Sequence, residues 1–170
     1  MKRLYTKQGD QGKTNLIGNI RISKNSPRIE ALGAIDELNS LLGIIISYPQ
    51  KNNPETQLLK KIQIDLVEIS SLLANPKSIL SKNKWKGKIK RLEKDLDEKT
   101  VSLPQLNQFI IPGENQISSL LQFSRAVCRR VERRVVTLSQ KEKINPQILI
   151  YLNRLSDLLF VLSLNSDKKR

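Results

Sequence analysis

An all-α fold, a five-helix antiparallel bundle behind an ordered N-terminal segment, is what this sequence predicts. Three observations carry the prediction. Apolar residues recur at spacings of three and four through most of the 170 residues, the signature of helices with one buried stripe. Cap-plus-proline pairs mark helix starts at Ser26-Pro27, Asn53-Pro54 and Asn145-Pro146, because a short polar side chain caps free N–H groups and proline suits the first turn. No stretch alternates apolar and polar residues as strands do. The length fits a single domain over residues 1–170 with a proper core. It divides into a segment 1–25, a bundle 26–164 and a polar tail 165–170.

Helix one runs from Ser26-Pro27 to Tyr48-Pro49, with Ile35, Leu38, Leu42 and Ile45 on its stripe. Helix two opens at Asn53-Pro54, carries Leu58, Ile62, Leu66 and Ile69, and stops at Asn75-Pro76. Lys77 to Lys84 reads as a basic linker. A more polar third helix spans about Trp85 to Lys99, carried by Ile89, Leu92 and Leu96. Pro104 interrupts, and Phe109-Ile-Ile-Pro-Gly113 is an apolar turn. Helix four runs from Asn115 to about Gln140, with Leu121, Val127, Val131, Val135 and Leu138 inward. Helix five follows Asn145-Pro146 and buries Ile148, Leu152, Leu155 and Leu159. The short connections make neighbours antiparallel.

Composition narrows the chemistry. The chain holds 30 Lys+Arg against 16 Asp+Glu, a net charge of +14, which draws it toward polyanions such as a nucleoside triphosphate or nucleic acid. The basic cluster from Lys77 to Arg91 surrounds Trp85 but has too few aromatics for base stacking, so it reads first as a solvated face. There are no histidines, which excludes histidine acid–base catalysis, His–Asp triads and histidine-ligated metals. Catalysis must come from binding, positioning and electrostatics, or from a nucleophile that a ligand brings. The single cysteine, Cys128, cannot pair internally and fits a reducing compartment. It lies by the apolar stripe and reads as core. No secretory signal or apolar run near the length of a membrane span is visible. The expected location is the cytoplasm, with no membrane partner.

Four features could carry chemistry. The segment T-x-x-G-D-x-G-x-T, Thr6 to Thr14, offers flexible backbone N–H groups and hydroxyls of the kind a polyphosphate needs, with Lys7, Lys13 and Lys24 close by. It is not a Walker loop, and taken alone it is more often just a turn. Ser124 to Arg134 places Arg125, Arg129 and Glu132 within one sector of helix four, with Arg130 and Arg134 on the other flank. Arginine suits bidentate phosphate contacts. Spacing alone favours a solvated helix with internal Arg–Glu pairs, and RNA phosphates are a third reading. Asp36 sits at the edge of the helix-one stripe, where a carboxylate wants a cation, or it is a surface acid. Asn153 and Asp157 lie one turn apart on helix five. Asn153 can read an adenine or ribose edge, though a surface polar pair is the commoner reading.

Together, these pieces resemble one family, the trimeric ATP:cob(I)alamin adenosyltransferases of the propanediol-utilisation (PduO) type. The matching stretches are YTKQGDQGKTNLIG, SKNSPRIEALGAIDELNSLLG, FIIPG, SRAVCRRVERRVV and INPQILIYLNRLSDLLFVL. They run from Tyr5 to Leu162, with 51–106 the weakest part. The resemblance implies a five-helix homotrimer that moves the 5′-deoxyadenosyl group of ATP to the cobalt of reduced cobalamin, its sites between subunits. It implies that Thr6, Lys7, Gln8 and Gly9 wrap the phosphates, helped by Thr14, Asn15 and Lys24. Arg129, Arg130, Glu132 and Arg133 would face triphosphate and ribose, and Asn153 the nucleoside. Asp36 would pair with Arg125 of a neighbouring subunit at the cobalamin site, and Phe109 would lie under the corrin. Arg129, Asp36, Arg125 and Phe109 would thus be the residues on which turnover depends. Mg²⁺ would accompany ATP with no protein ligand assigned, cobalamin would be a substrate, and a flavin-dependent reductase is an implied partner. Gln8 and Glu114-Asn115 depart from the family's usual wording. The sequence stops soon after helix five, where members with a longer tail use it to cover the cobalamin. The competing expectations are a basic RNA-binding helical protein, and a catalytically silent ATP- or corrinoid-binding sensor of the same fold.

Overall fold

The computed structural model of the chain describes residues 5, 7–48, 54–76, 82–101, 103 and 109–167. Thr6, Pro49, Asn53, Lys77 and Pro104 lie outside them. Among the described residues there are five helices: α1 (Pro27–Ser47), α2 (Pro54–Ala74), α3 (Lys82–Thr100), α4 (Gln116–Ser139) and α5 (Pro146–Asp167). The Ser26 side chain accepts from Ile29 N at 3.4 Å, with Pro27 in the first turn. Asn115 caps α4 by accepting from Ser118 N at 2.9 Å, and Asn145 accepts from Gln147 N at 2.9 Å ahead of Pro146. Each cap satisfies a donor that the helix start leaves unpaired.

Cross-links between helices define the topology. Glu30 and Glu37 of α1 face Arg134 and Arg130 of α4 in reverse order. The start of α4 meets the end of α5, where Asn115 and Ser118 donate to Asp167 at 2.8 and 2.9 Å. Buried Arg28 at the start of α1 donates to Leu73 O at the end of α2 and to Glu142 beyond α4. α3 packs on α5 in the same direction, with Trp85 beside Tyr151 and Glu93 beside Arg154. The five helices therefore alternate in direction along the chain. The core lies between them, with Leu38, Leu42, Ile62, Leu66, Leu138 and Leu152 fully enclosed. Each such side chain contributes about 1.5–3 kcal/mol of burial. α5 is long and apolar enough to cross a membrane by length and composition alone, yet most of it is covered by its neighbours, as a central core helix is.

Two elements differ from the sequence expectation. The N-terminal segment is not merely a loop: β1 (Lys13–Asn15) and β2 (Arg21–Ser23) pair antiparallel, Thr14 opposite Ile22. The turn between them uses Gly18 at φ 90° and Asn19 at φ 60°, conformations those two residue types tolerate best. Three-residue strands are too short to show a period. Second, Trp85 does not sit on a solvated face. It is 1% exposed and packs edge-on against Tyr151 at 5.3 Å. The lysines around it are partly turned inward: Lys88 binds Asp65 and, at 2.8 Å, Glu68, and Arg91 binds Asp65. Tyr151 Oη also donates to Asp65, at 2.8 Å.

Candidate active site

The N-terminal loop is built to hold a cation over bare backbone. Lys7 (φ 59°) and Gly12 (φ 72°) turn the chain sharply. Lys24 N donates to Gly12 O at 2.8 Å and the Arg21 guanidinium donates to Gln8 O at 2.9 Å. These bonds bring the Lys24 ammonium so close to Gly9 that an added Cβ would stand 3.1 Å from Nζ. Lys7, Gln8, Lys13, Asn15 and Lys24 are exposed, and Gly9 and Thr14 are half-buried. A concentration of N–H groups and ammonium ions on a tight loop is an environment for anions. The hairpin is fixed to the bundle by buried Leu16 and by Ile17 N donating to Ala74 O at 3.1 Å.

Ile17 also forms one wall of a groove of about 280 Å³ that is shared with α1 and α2. Asp36 lines it, exposed, beside Asn39, Val67, Ser70 and Ala74. The Asn39 Oδ1 is buried there with no partner among the described residues. Thus the hairpin turn and Asp36 share one side of the molecule.

The second group lies on another side. Along α4, Arg130 pairs with Glu37 and Arg134 with Glu30 at 3.4 Å, so that flank faces α1. The opposite flank faces α5. There Glu132 accepts from Asn153 Nδ2 at 3.3 Å, and Arg154 donates to Asn153 Oδ1 at 3.0 Å and to Glu93 at 3.2 Å. Arg125 stands over the Phe160 ring, 5.5 Å from its centroid, and donates to Gln122 Oε1 at 3.3 Å. Arg129 and Arg133 are exposed and form no ion pair among the described residues. The two flanks separate as the helical spacing of Arg125, Arg129 and Glu132 against Arg130 and Arg134 anticipates. Within one chain, then, Asp36 and Arg125 do not meet. Phe109 is fully exposed and Ile111 nearly so, just ahead of α4, an arrangement that leaves apolar surface for something to cover.

Cys128 takes no part. It is buried, its thiol donates to Leu152 O at 3.4 Å, and burial, followed by the charge of Glu132, pushes its pKa far up. It is the core residue the sequence indicated. Among the described residues no cluster of three carboxylate, histidine or cysteine side chains could hold a metal. Sequence reading passed over Arg154 and Glu93, which fix Asn153, and Gln122 and Phe160, which fix Arg125. The i,i+3 spacing of Gln122 and Arg125 is the one local signal that was available.

A helical bundle with a glycine loop rich in N–H groups and ammonium ions, and with an arginine-and-amide flank on another side, is suited to handling a nucleotide. The particular family follows from comparison with known proteins. The model of the cobalamin adenosyltransferase family matches residues 4–165, and the chain belongs to that family. It is 40% identical over 168 residues to the human corrinoid adenosyltransferase MMAB, covering 95% of this chain and 67% of that one. It is also 40% identical over 162 residues to the Bacillus subtilis corrinoid adenosyltransferase, covering 93% and 83%. Among solved structures, a variant PduO-type ATP:corrinoid adenosyltransferase from Lactobacillus reuteri, complexed with cobalamin and ATP, superposes with a TM-score of 0.90. That match has 35% identity and covers 97% of this chain and 91% of the other.

Proposed function

We propose that this chain transfers the 5′-deoxyadenosyl group of ATP to the cobalt of cob(I)alamin, releasing triphosphate. It is an ATP:corrinoid adenosyltransferase. The observation that carries this is the near-full-length likeness to a structure complexed with cobalamin and ATP. The chemistry suits a protein with no histidine. The cobalt(I) electron pair forms the bond to C5′, the C5′–O bond breaks, and its electrons leave with the triphosphate. No proton need move in that step, so no general base is required.

What the protein supplies is position and charge. In our reading Thr6, Lys7, Gln8 and Gly9, with Thr14, Asn15 and Lys24, wrap the phosphates. Arg129 and Arg133 face the triphosphate as their exposed guanidinium groups permit, and Arg130 joins them by giving up Glu37. Glu132 and Asn153, already hydrogen-bonded to each other, take the ribose and base. Fixing C5′ against the cobalt removes the entropic cost of a bimolecular encounter. Cations on the leaving group stabilise the charge that develops in the transition state. Mg²⁺ enters with ATP and adds to that neutralisation, with no protein ligand assigned. Phe109 lies against the lower face of the corrin and keeps other ligands off the cobalt.

Asp36 and Arg125 lie on different sides of one chain; in our reading they meet between copies, where together they line the corrin site. A homotrimer with sites between subunits joins them and places the N-terminal loop of one subunit near α4 of the next. We place the enzyme in the cytoplasm, served by a flavin-dependent reductase that delivers cobalt(I). The test is direct. Purified protein given ATP, Mg²⁺ and chemically reduced cobalamin should yield adenosylcobalamin and triphosphate. Arg129→Ala should lose at least about 100-fold in kcat, the scale of one lost transition-state donor, while remaining folded and oligomeric. Full activity in that variant would remove α4 from the site.

A further inference from the structure

We infer that Gln122 is a positioning residue for the adenosyl transfer, acting through Arg125. The inference rests on the placement of Arg125 at the corrin site given above. Gln122 is only 7% exposed, an uncommon degree of burial for an amide side chain. Both ends of its side chain are engaged. Its Nε2 donates to Ser163 Oγ at 2.8 Å, and Ser163, fully buried, donates in turn to Phe160 O at 2.6 Å. Its Oε1 accepts from Arg125 Nε at 3.3 Å. The Arg125 guanidinium then lies over the ring of that same Phe160.

The result is a closed circuit. Phe160 anchors the buried end of the chain through its carbonyl and the exposed end through its ring. The amide cannot flip, because reversing it would set its NH₂ against an arginine that only donates. Arg125 is thereby held by Nε and by one face of its plane. Its two terminal NH₂ groups have no partner among the described residues. Those are the groups that form a paired fork toward a carboxylate. A long, flexible side chain is thus delivered pre-aimed, and the ordering cost is met in folding rather than on binding.

Kinetics can separate positioning from mere support of the fold. Gln122→Met keeps the length and volume of the side chain but removes the acceptor. Assayed with chemically generated cob(I)alamin, it should raise the corrinoid KM about tenfold, the worth of one charge-assisted hydrogen bond, and leave the ATP KM unchanged. In an Arg125→Ala background the same substitution should change nothing further. Ser163→Ala, which frees the amide but keeps the acceptor, should move the corrinoid KM in the same direction by a smaller factor; it answers the question if Gln122→Met does not fold. An unchanged corrinoid KM in Gln122→Met, beside a raised one in Arg125→Ala, overturns the positioning role alone. So does an effect that raises both KM values and persists in the Arg125→Ala background. If Arg125→Ala itself leaves the corrinoid KM unchanged, the placement of Arg125 fails and the inference fails with it.

Discussion

At Gly9 the space for one methyl group is taken by the end of Lys24. A Cβ there would meet the Lys24 ammonium at 3.1 Å, with the Lys24 Cε at 3.4 Å. The obstacle is the end of a flexible side chain, so the backbone has no reason to move and Lys24 would swing away instead. Gly9→Ala should therefore fold normally, with a melting temperature equal to or slightly above the parent's, since alanine restricts the unfolded chain more than glycine. Its ATP KM should rise about three- to tenfold from the displaced cation, with the corrinoid KM unchanged. Steady-state kinetics varying one substrate at a time would check both; an unchanged ATP KM would take Lys24 out of the phosphate site. At this scale the sequence was informative about residue type and silent about direction. It named Arg125, Arg129, Glu132 and Asn153 from their spacing. It could not show that Arg125 and Glu132 turn to α5 while Arg130 and Arg134 turn to α1, because that depends on which helices pack on either flank.

α3 is the element whose nature the sequence concealed. Its first turn has no acidic residue, so its lysines add to the positive end of the helix dipole rather than oppose it. The compensation comes from α2. Asp65 lies on the same face as Leu58, Ile62, Leu66 and Ile69, and is 3% exposed; it receives Lys88, Arg91 and the Tyr151 hydroxyl. An acid on an apolar stripe in α2, followed by a helix rich in lysine, was a legible hint. Choosing its partner required the fold. Removing the buried carboxylate takes a partner from Lys88, Arg91 and the Tyr151 hydroxyl at once, so Asp65→Ala should cost about 3 kcal/mol of stability, read by urea denaturation. The neighbouring Glu68 adds a pH dependence. Burial alone would raise its pKa, but hydrogen bonds and attraction from Lys88 and Lys84 outweigh that and leave it lowered. Its contribution is therefore complete above the ordinary carboxylate pKa and is lost as pH falls through the lower folded value. Glu68→Gln should flatten that part of the acid-stability curve, and a curve identical to the parent's would mean the Lys84 and Lys88 contacts contribute nothing.

For the molecule as a whole, the groove beside Asp36 and the flank of α4 that carries Arg125 face apart on one chain. The five helices were readable because each carries its own stripe and most carry their own cap, information local to a turn or two. The hairpin was hidden by its brevity. The separation of Asp36 from Arg125 had no local signature: it arises only when α1, α4 and α5 are packed together. If the two meet between copies, two impaired chains can rescue each other. Asp36→Ala and Arg125→Ala, each alone in a homo-oligomer, should weaken corrinoid binding at every site. Mixed in equal amounts and allowed to assemble at random, they create junctions where an intact Asp36 from one chain faces an intact Arg125 from the other. That arrangement arises at about a quarter of the junctions in a closed ring with head-to-tail contacts, so at corrinoid concentrations well below the variants' KM the mixture should recover about a quarter of the parent activity. The recovery should depend on co-refolding or co-expression, since pre-formed oligomers that do not exchange subunits would stay impaired. A co-assembled mixture no more active than either variant alone would mean that Asp36 and Arg125 do not serve a shared site, and the division between subunits would have to be abandoned.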